Sequence, residues 1–324
     1  MLRNLAAMTG AWLLTVMIAS PATSADQWPQ KPITLMHGFG AGGNADTISR
    51  LVAAGLAEKL GATVTVDAKP GAGGNLASEL VSRAAPDGHT LILLTGGHAV
   101  SGALYKSLRF DPVQAFSFVS LIGTFPFVVA TRADSPITDL SSLIAAAKAA
   151  PGKLTFSSVG FGSTQHLIGE LLSLSAGIKL THVPYRGGMQ PLTDLLGGNI
   201  DLIVDTITVT RQGINGGTLR GLGVTSAEPW PALPTVPSIG TRIPGFEVIS
   251  WIGIAAPAGT PAPVIARLNE TLRALVEDAA FQQKLDDLGV RAKASSPAEM
   301  RDFVAGEITR WNGVIDRAAL SRID

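Results

Sequence analysis

The sequence predicts an α/β protein of two lobes around a cleft, on three observations. Short apolar runs alternate with amphipathic stretches along most of the chain, the pattern of strands and helices stacked in layers. One apolar segment, residues 118–131, runs through Phe125 and Pro126 with no helix inside it, as a crossing from one lobe to another does. A later stretch, 229–237, holds four prolines and connects the second α/β series to a returning strand and terminal helices.

Residues 33–37 (ITLMH) read as the first strand, and 46–60 as a helix carrying Ile48, Leu51, Val52 and Leu56 on one face. A second strand is expected at 63–66, a helix at 75–84, a turn from Pro86 to Gly88 and a third strand at 90–94. Such alternation implies a parallel sheet with helices on both faces. Beyond the crossing come helix 138–149, strand 153–157, helix 163–176, strand 180–183, helix 188–196 and strands 200–204 and 219–224. Strand 247–255 then precedes helices at 261–276, 279–288 and 297–319. The expected division is 26–124 for the first lobe, 125–230 for the second and 231–324 returning to the first. Two crossings make a hinge, because few residues must change φ/ψ to open or shut the cleft.

The N-terminus carries Arg3, an apolar run over 5–18 and small residues up to Ala25, the pattern of a secretory signal peptide cleaved after Ala25. The run is shorter than the roughly 20 residues of a membrane span, so the expected location is the periplasm. The chain has no cysteine, which excludes disulfides, thiol nucleophiles and thiolate metal sites. Lys plus Arg and Asp plus Glu both number 25 with no run of one sign, which argues against nucleic acid or an anionic membrane as partner. The 36 glycines and 20 prolines are spread along the chain and indicate many tight turns.

Residues 38–43 (GFGAGG) fit G-x-G-x-x-G between a strand and a helix, and Asp67 ends the next strand, the layout of a dinucleotide site. A loop of the same character, SSVGFGSTQHL (157–167), lies in the other lobe. Free N–H groups at a helix start favour an anion, and two such loops facing one cleft favour a small carboxylated one. The chain has no G-x-S-x-G, no H-E-x-x-H and no G-K-[ST] after its glycines. His166 and Glu170 share a helix face but are too few for a metal site, and the five histidines are scattered. No catalytic residue, metal site or cofactor is therefore expected.

Several longer stretches carry a family resemblance: WPQKPITL (28–35), GGNAD (42–46), KPGAGGNLASELVSRAAPDGHTLIL (69–93), GSTQHLIGELL (162–172), HVPYRGG (182–188), LTDLLGGNIDLIVD (192–205), GVTSAEPWPALPTVPSIG (223–240) and APAGTPAPVIARLN (256–269). Over essentially its whole length beyond Ala25 the chain resembles the exported Bug-type receptors of tripartite tricarboxylate transporters. The resemblance implies a two-lobe periplasmic-binding-protein (type II, Venus-flytrap) fold with the ligand cleft between the lobes. It also implies a small carboxylated solute, and membrane transporter subunits as partners of a monomeric receptor. Where the family shows Val-Pro-Phe-Pro-Pro, this chain has His37, Gly38, Phe39, Gly40 and Ala41, so the nucleotide pattern arises from two glycines at proline positions. Export also removes the protein from cytoplasmic NAD.

A carboxylate taken out of water needs donors. Main-chain N–H groups of Gly42, Gly43 and Asn44, with the Asn44 side chain, are candidates from the first lobe. Asp46 reads as the cap of the first helix, or as an acceptor for a water or ligand amino group. Ser163 and Thr164 are hydroxyl donors or helix caps, and His166 is a donor or a structural histidine. His98, after a first-lobe strand, reaches the cleft or fills its loop. Tyr185 offers an aromatic wall and a phenol, Arg186 is a solvated charge, and Asp205 ends a strand at the cleft or serves a turn. Phe39 covers the ligand or packs locally. The expected mechanism is capture by closure, with a ligand sensor or an exported enzyme acting on a carboxylate as alternatives.

Overall fold

The computed structural model describes residues 28–324, so the signal peptide expected at 1–25 lies outside the described residues. The elements follow in the order β1 (Ile33–His37), α1 (Asn44–Leu60), β2 (Val64–Ala68), α2 (Asn75–Ser82), β3 (Thr90–Thr95), α3 (Gly96–Leu104) and β4 (Phe116–Arg132). Next come α4 (Leu140–Ala149), β5 (Thr155–Ser158), α5 (Thr164–Ala176), β6 (Thr181–Pro184), α6 (Gln190–Leu196), β7 (Leu202–Thr206), α7 (Ile207–Asn215) and β8 (Leu219–Val224). β9 (Ile249–Pro257), α8 (Ala262–Val276), α9 (Ala279–Asp287), β10 (Arg291–Ala292) and α10 (Pro297–Arg317) complete the chain.

The first sheet runs β2-β1-β3-β9-β4, with β10 on the far edge of β4. The second runs β8-β4-β7-β5-β6. Neither sheet is purely parallel, contrary to the expectation from alternation. β9 inserts antiparallel between β3 and β4, and β4 lies antiparallel to β7 and β8. The reason is that β4 and β9 cross between lobes with no helical return to set a parallel direction.

β4 belongs to both sheets. Up to Pro126 it pairs with β9, and from Phe127 onward with β7. Its residues alternate faces as a strand requires: Phe127 and Val129 join the main core, while Val128 and Ala130 join a second cluster with Ile203, Val224, Trp230 and Val236. Residues 230–236 thus stay with the second sheet, and the chain enters the first only at Ile249, later than the boundary expected at 231. Thr225 ties the crossings together. Its Oγ1 accepts from the Phe127 N–H at 2.9 Å and donates to the Val248 carbonyl at 2.6 Å.

Candidate functional site

In each lobe two parallel strands end in a turn that starts a helix: β1 to α1 and β3 to α3 in the first, β5 to α5 and β7 to α7 in the second. Such strand ends are where open α/β sheets hold ligands. Here they border one small cavity of about 40 Å³. Phe39, Phe125, Phe127 and Val159 form its apolar surface. Gly43, Asn44, Thr95, Thr164, Gln165, Asp205, Thr206 and Ser250 form the polar part.

All four helices point their N-termini at this space. Gly43, Thr95 and Thr206, the residues preceding α1, α3 and α7, place no side chain on the first N–H groups of their helices. Only α5 is capped, by Ser163, whose Oγ accepts from the His166 N–H at 3.2 Å. First-turn amides of four helices with no lysine or arginine among the lining residues give a positive potential made of main-chain dipoles.

Of the residues singled out in the sequence, Phe39, Gly43, Asn44, Thr164 and Asp205 meet at the cavity. Gly42, Asp46 and Ser163 stand behind it and hold its loops. The Gly42 N–H donates to Asp46 Oδ2 at 3.0 Å, which spends the amide expected to face a ligand. Asp46 is not the cap of the first helix, which starts two residues earlier at Asn44. It also binds Arg50 at 2.9 Å and lies 3.3 Å from His37 Nε2. Burial pushes the Asp46 carboxyl up, but hydrogen bonds from Arg50 and Gly42 outweigh it and hold the group below its ordinary value.

His98, His166 and Tyr185 lie away from the cavity. His98 is the third residue of α3, its Nε2–H donating to the Pro112 carbonyl at 2.7 Å and its ring stacked on Phe110, and burial pushes its pKa down to about 4. The His166 ring packs 4.4 Å from that of His182 and 5.4 Å from Phe161, and burial lowers it to about 4 as well. The Tyr185 hydroxyl donates to Asp194 at 2.7 Å, and burial together with that carboxylate pushes the phenol up to about 12.

The two glycine loops share the cavity, and each also packs against a further loop. The Gly40 N–H donates to the Arg186 carbonyl at 3.0 Å across the lobes, and Gly40 forms a bridge with Gly187. The loop at 71–74 instead meets the loop at 160–162, where a Cβ on Gly73 would lie 2.7 Å from the Phe161 carbonyl oxygen. A Cβ on Gly38 would lie 2.4 Å from the Cα of Gly74. The first two glycines of the G-x-G-x-x-G pattern therefore serve close approach of chain to chain, not of chain to pyrophosphate.

Sequence reading missed Thr95, Phe125, Phe127, Gln165, Thr206 and Ser250. Gln165 and Thr206 neighbour residues already chosen, and Phe125 and Phe127 share one face of the crossing segment. Ser250 comes from the returning strand, and no local motif marks it. Among the described residues no group of three or more histidines and carboxylates is arranged to hold a metal ion, and no helix is long and apolar enough to cross a membrane.

Two α/β lobes joined by crossing strands, with helix starts turned into the cleft, define a periplasmic-binding-protein fold, as the solved relatives bear out. The structure of periplasmic binding protein BugD matches with a TM-score of 0.87 and 32% identity, over 91% of this chain and 99% of that one. The chain belongs to the tripartite tricarboxylate transporter receptor family: the profile of the tripartite tricarboxylate transporter family receptor matches residues 48–320. These are solute receptors and not enzymes. The structure of R. palustris Rpa4515 with adipate matches with a TM-score of 0.88 and 34% identity, over 91% of this chain and all of that one. MatC (Rpa3494) from Rhodopseudomonas palustris, with bound malate, matches with a TM-score of 0.84 and 32% identity, over 89% and 100% of the two chains.

Proposed function

We propose that this protein is an exported receptor that captures one small carboxylated metabolite between its lobes and delivers it to the membrane subunits of a tripartite transporter. One observation carries the reading: four helix N-termini converge on a cavity that has no cationic side chain among its lining residues. Main-chain amides accommodate a carboxylate and leave little for a cation. The relatives that hold adipate and malate support the same solute class, and the N-terminal pattern supports export. Phe39, Gly43, Asn44, Thr164 and Asp205 are the proposed ligand contacts, with Thr95, Gln165, Thr206 and Ser250 added by the cavity wall.

The ligand bridging both lobes favours the shut form by binding it better than the open one. The test is thermal stabilisation across di- and tricarboxylates, aromatic carboxylates, amino acids and nucleotides. A ligand at 100 times its dissociation constant should add about 2.7 kcal/mol. Stabilisation by NAD and by no carboxylate would overturn the reading.

A further inference from the structure

The polar groups of the cavity are not all donors. Asp205 is the single ionisable side chain on its wall and is 4% exposed. Its Oδ1 accepts from the Thr206 N–H at 2.7 Å and lies 3.3 Å from the Thr206 hydroxyl. No protein donor reaches Oδ2 among the described residues. A carboxylate this enclosed is costly when one of its oxygens lacks a protein donor, so the site is short of one hydrogen-bonding proton.

Asn44 adds a second acceptor. Oγ1 of Thr208 lies 2.8 Å from both the Asn44 side-chain amide and the Leu288 carbonyl oxygen. One hydroxyl proton cannot serve two acceptors, and a main-chain carbonyl can only accept. The consistent arrangement turns the amide, so that its NH₂ donates to Thr208 and its carbonyl oxygen is the unshared end.

Donors gather elsewhere in the cavity. The Ser250 hydroxyl is buried and has no partner, and a Cβ on Gly96 would lie 2.4 Å from it and 3.4 Å from the Thr164 hydroxyl. These two hydroxyls thus bracket the uncapped start of α3. Ser250 pairs with Phe125 of β4, whereas Asp205 pairs with Val128. β9 and β7 flank β4 on opposite edges, so Ser250 and Asp205 stand three residues apart along β4 and on opposite walls of the cavity.

We propose that the cavity selects its ligand at the end remote from the carboxylate: Thr164, Ser250 and the α3 amides hold one carboxylate, and Asp205 Oδ2 takes a hydrogen bond from a hydroxyl or ammonium group at the far end. The ligand class is therefore a hydroxy or amino acid with its donor distal to the carboxylate, not an unsubstituted diacid. This rests on the reading of the protein as a carboxylate receptor.

Calorimetric titration at pH 8.5 tests it, with 4-hydroxybutyrate and 4-aminobutyrate set against butyrate and succinate. The hydroxy or amino acid should bind roughly tenfold or more tightly than either comparator, the worth of a hydrogen bond to a charged group. In Asp205→Asn the amide oxygen takes over the Thr206 N–H and the NH₂ faces the ligand, so the preference should invert toward succinate. Ser250→Ala should weaken every bound acid by a similar factor. Succinate binding at least as tightly as the donor-bearing acids in the natural protein, with the same ranking in Asp205→Asn, would overturn the proposal while leaving the receptor reading intact. No binding by any acid, adipate and malate included, would overturn both.

Discussion

A methyl group on Gly40 would lie 2.9 Å from the Gly187 carbonyl oxygen and 3.0 Å from its carbon, where ordinary contact begins at 3.4 Å. Both sides of this contact are backbone, so no flexible side-chain end can move aside. In Gly40→Ala the loops must part by about half an ångström, which stretches the 3.0 Å hydrogen bond from Gly40 to Arg186 to the limit of such bonds. Gly40 follows β1 of the first sheet and Gly187 follows β6 of the second, so the strain exists only with the lobes shut. Loss of one net hydrogen bond is about 0.5–1.5 kcal/mol, or roughly a two- to twelvefold rise in Kd. Calorimetry with the acid that most stabilises the natural protein measures that change, and thermal unfolding without ligand provides the control. An unchanged Kd, or a loss of several degrees in Tm without ligand, would refute the reasoning, since the contact would then belong to the fold of the lobes and not to closure.

Asp205 should impose a pH dependence on stability. Burial pushes its carboxyl up to about 7 against the pull of the Thr206 hydrogen bonds, so its contribution is full below the ordinary value of 3.8 and is lost as the pH rises through 7. The span is on the order of 4 kcal/mol, and the Tm difference between Asp205→Asn and the natural protein should grow in favour of the variant from pH 4 to pH 8. Buried histidines act in the opposite sense. His98 and His166 are held near 4 and His182 near 3, so the stability they confer is present above 6.5 and is lost as the pH falls toward 4. Three groups oppose one, and a circular-dichroism melt that showed no loss of Tm between pH 6.5 and 4 would contradict this balance. Gly169→Ala lies inside α5, where helix propensity alone predicts a gain of about 1 kcal/mol. Its Cβ would meet the Phe156 ring at 2.0 Å, so overpacking by about 1–3 kcal/mol should decide the sign, and urea unfolding should show destabilisation.

Much of the fold could be read from residue order because periodicity is a local signal. The first strand and β8 occur where the patterns place them, and the helices at 46–60, 138–149 and 261–276 differ only at their ends. Two helices escaped notice. α3 opens on two glycines, and α7 (ITVTRQGIN) is rich in β-branched residues, so each has poor intrinsic helix propensity. Tertiary packing overrides that preference: Ile207 and Val209 of α7 are buried in the second core, and α3 lies buried beneath the cleft. The same error bears on His98, expected to reach the cleft or to fill its loop and instead a helix residue enclosed by Phe110 and Phe116.

Residue order was enough to specify where strands end and helices begin, and hence that Gly43, Asn44, Thr164 and Asp205 occupy strand-to-helix turns, since those assignments depend on residues a few positions apart. Folding settled which turn meets which: Gly40 lies against Gly187, Gly73 against Phe161, and Ser250 near Thr164, pairs from distant parts of the chain. Their approach is governed by the path of β4 and β9 through both sheets and by the absence of side chains at the points of contact. No local pattern encodes such a register, because it arises from the summed packing of two lobes and not from any one neighbour.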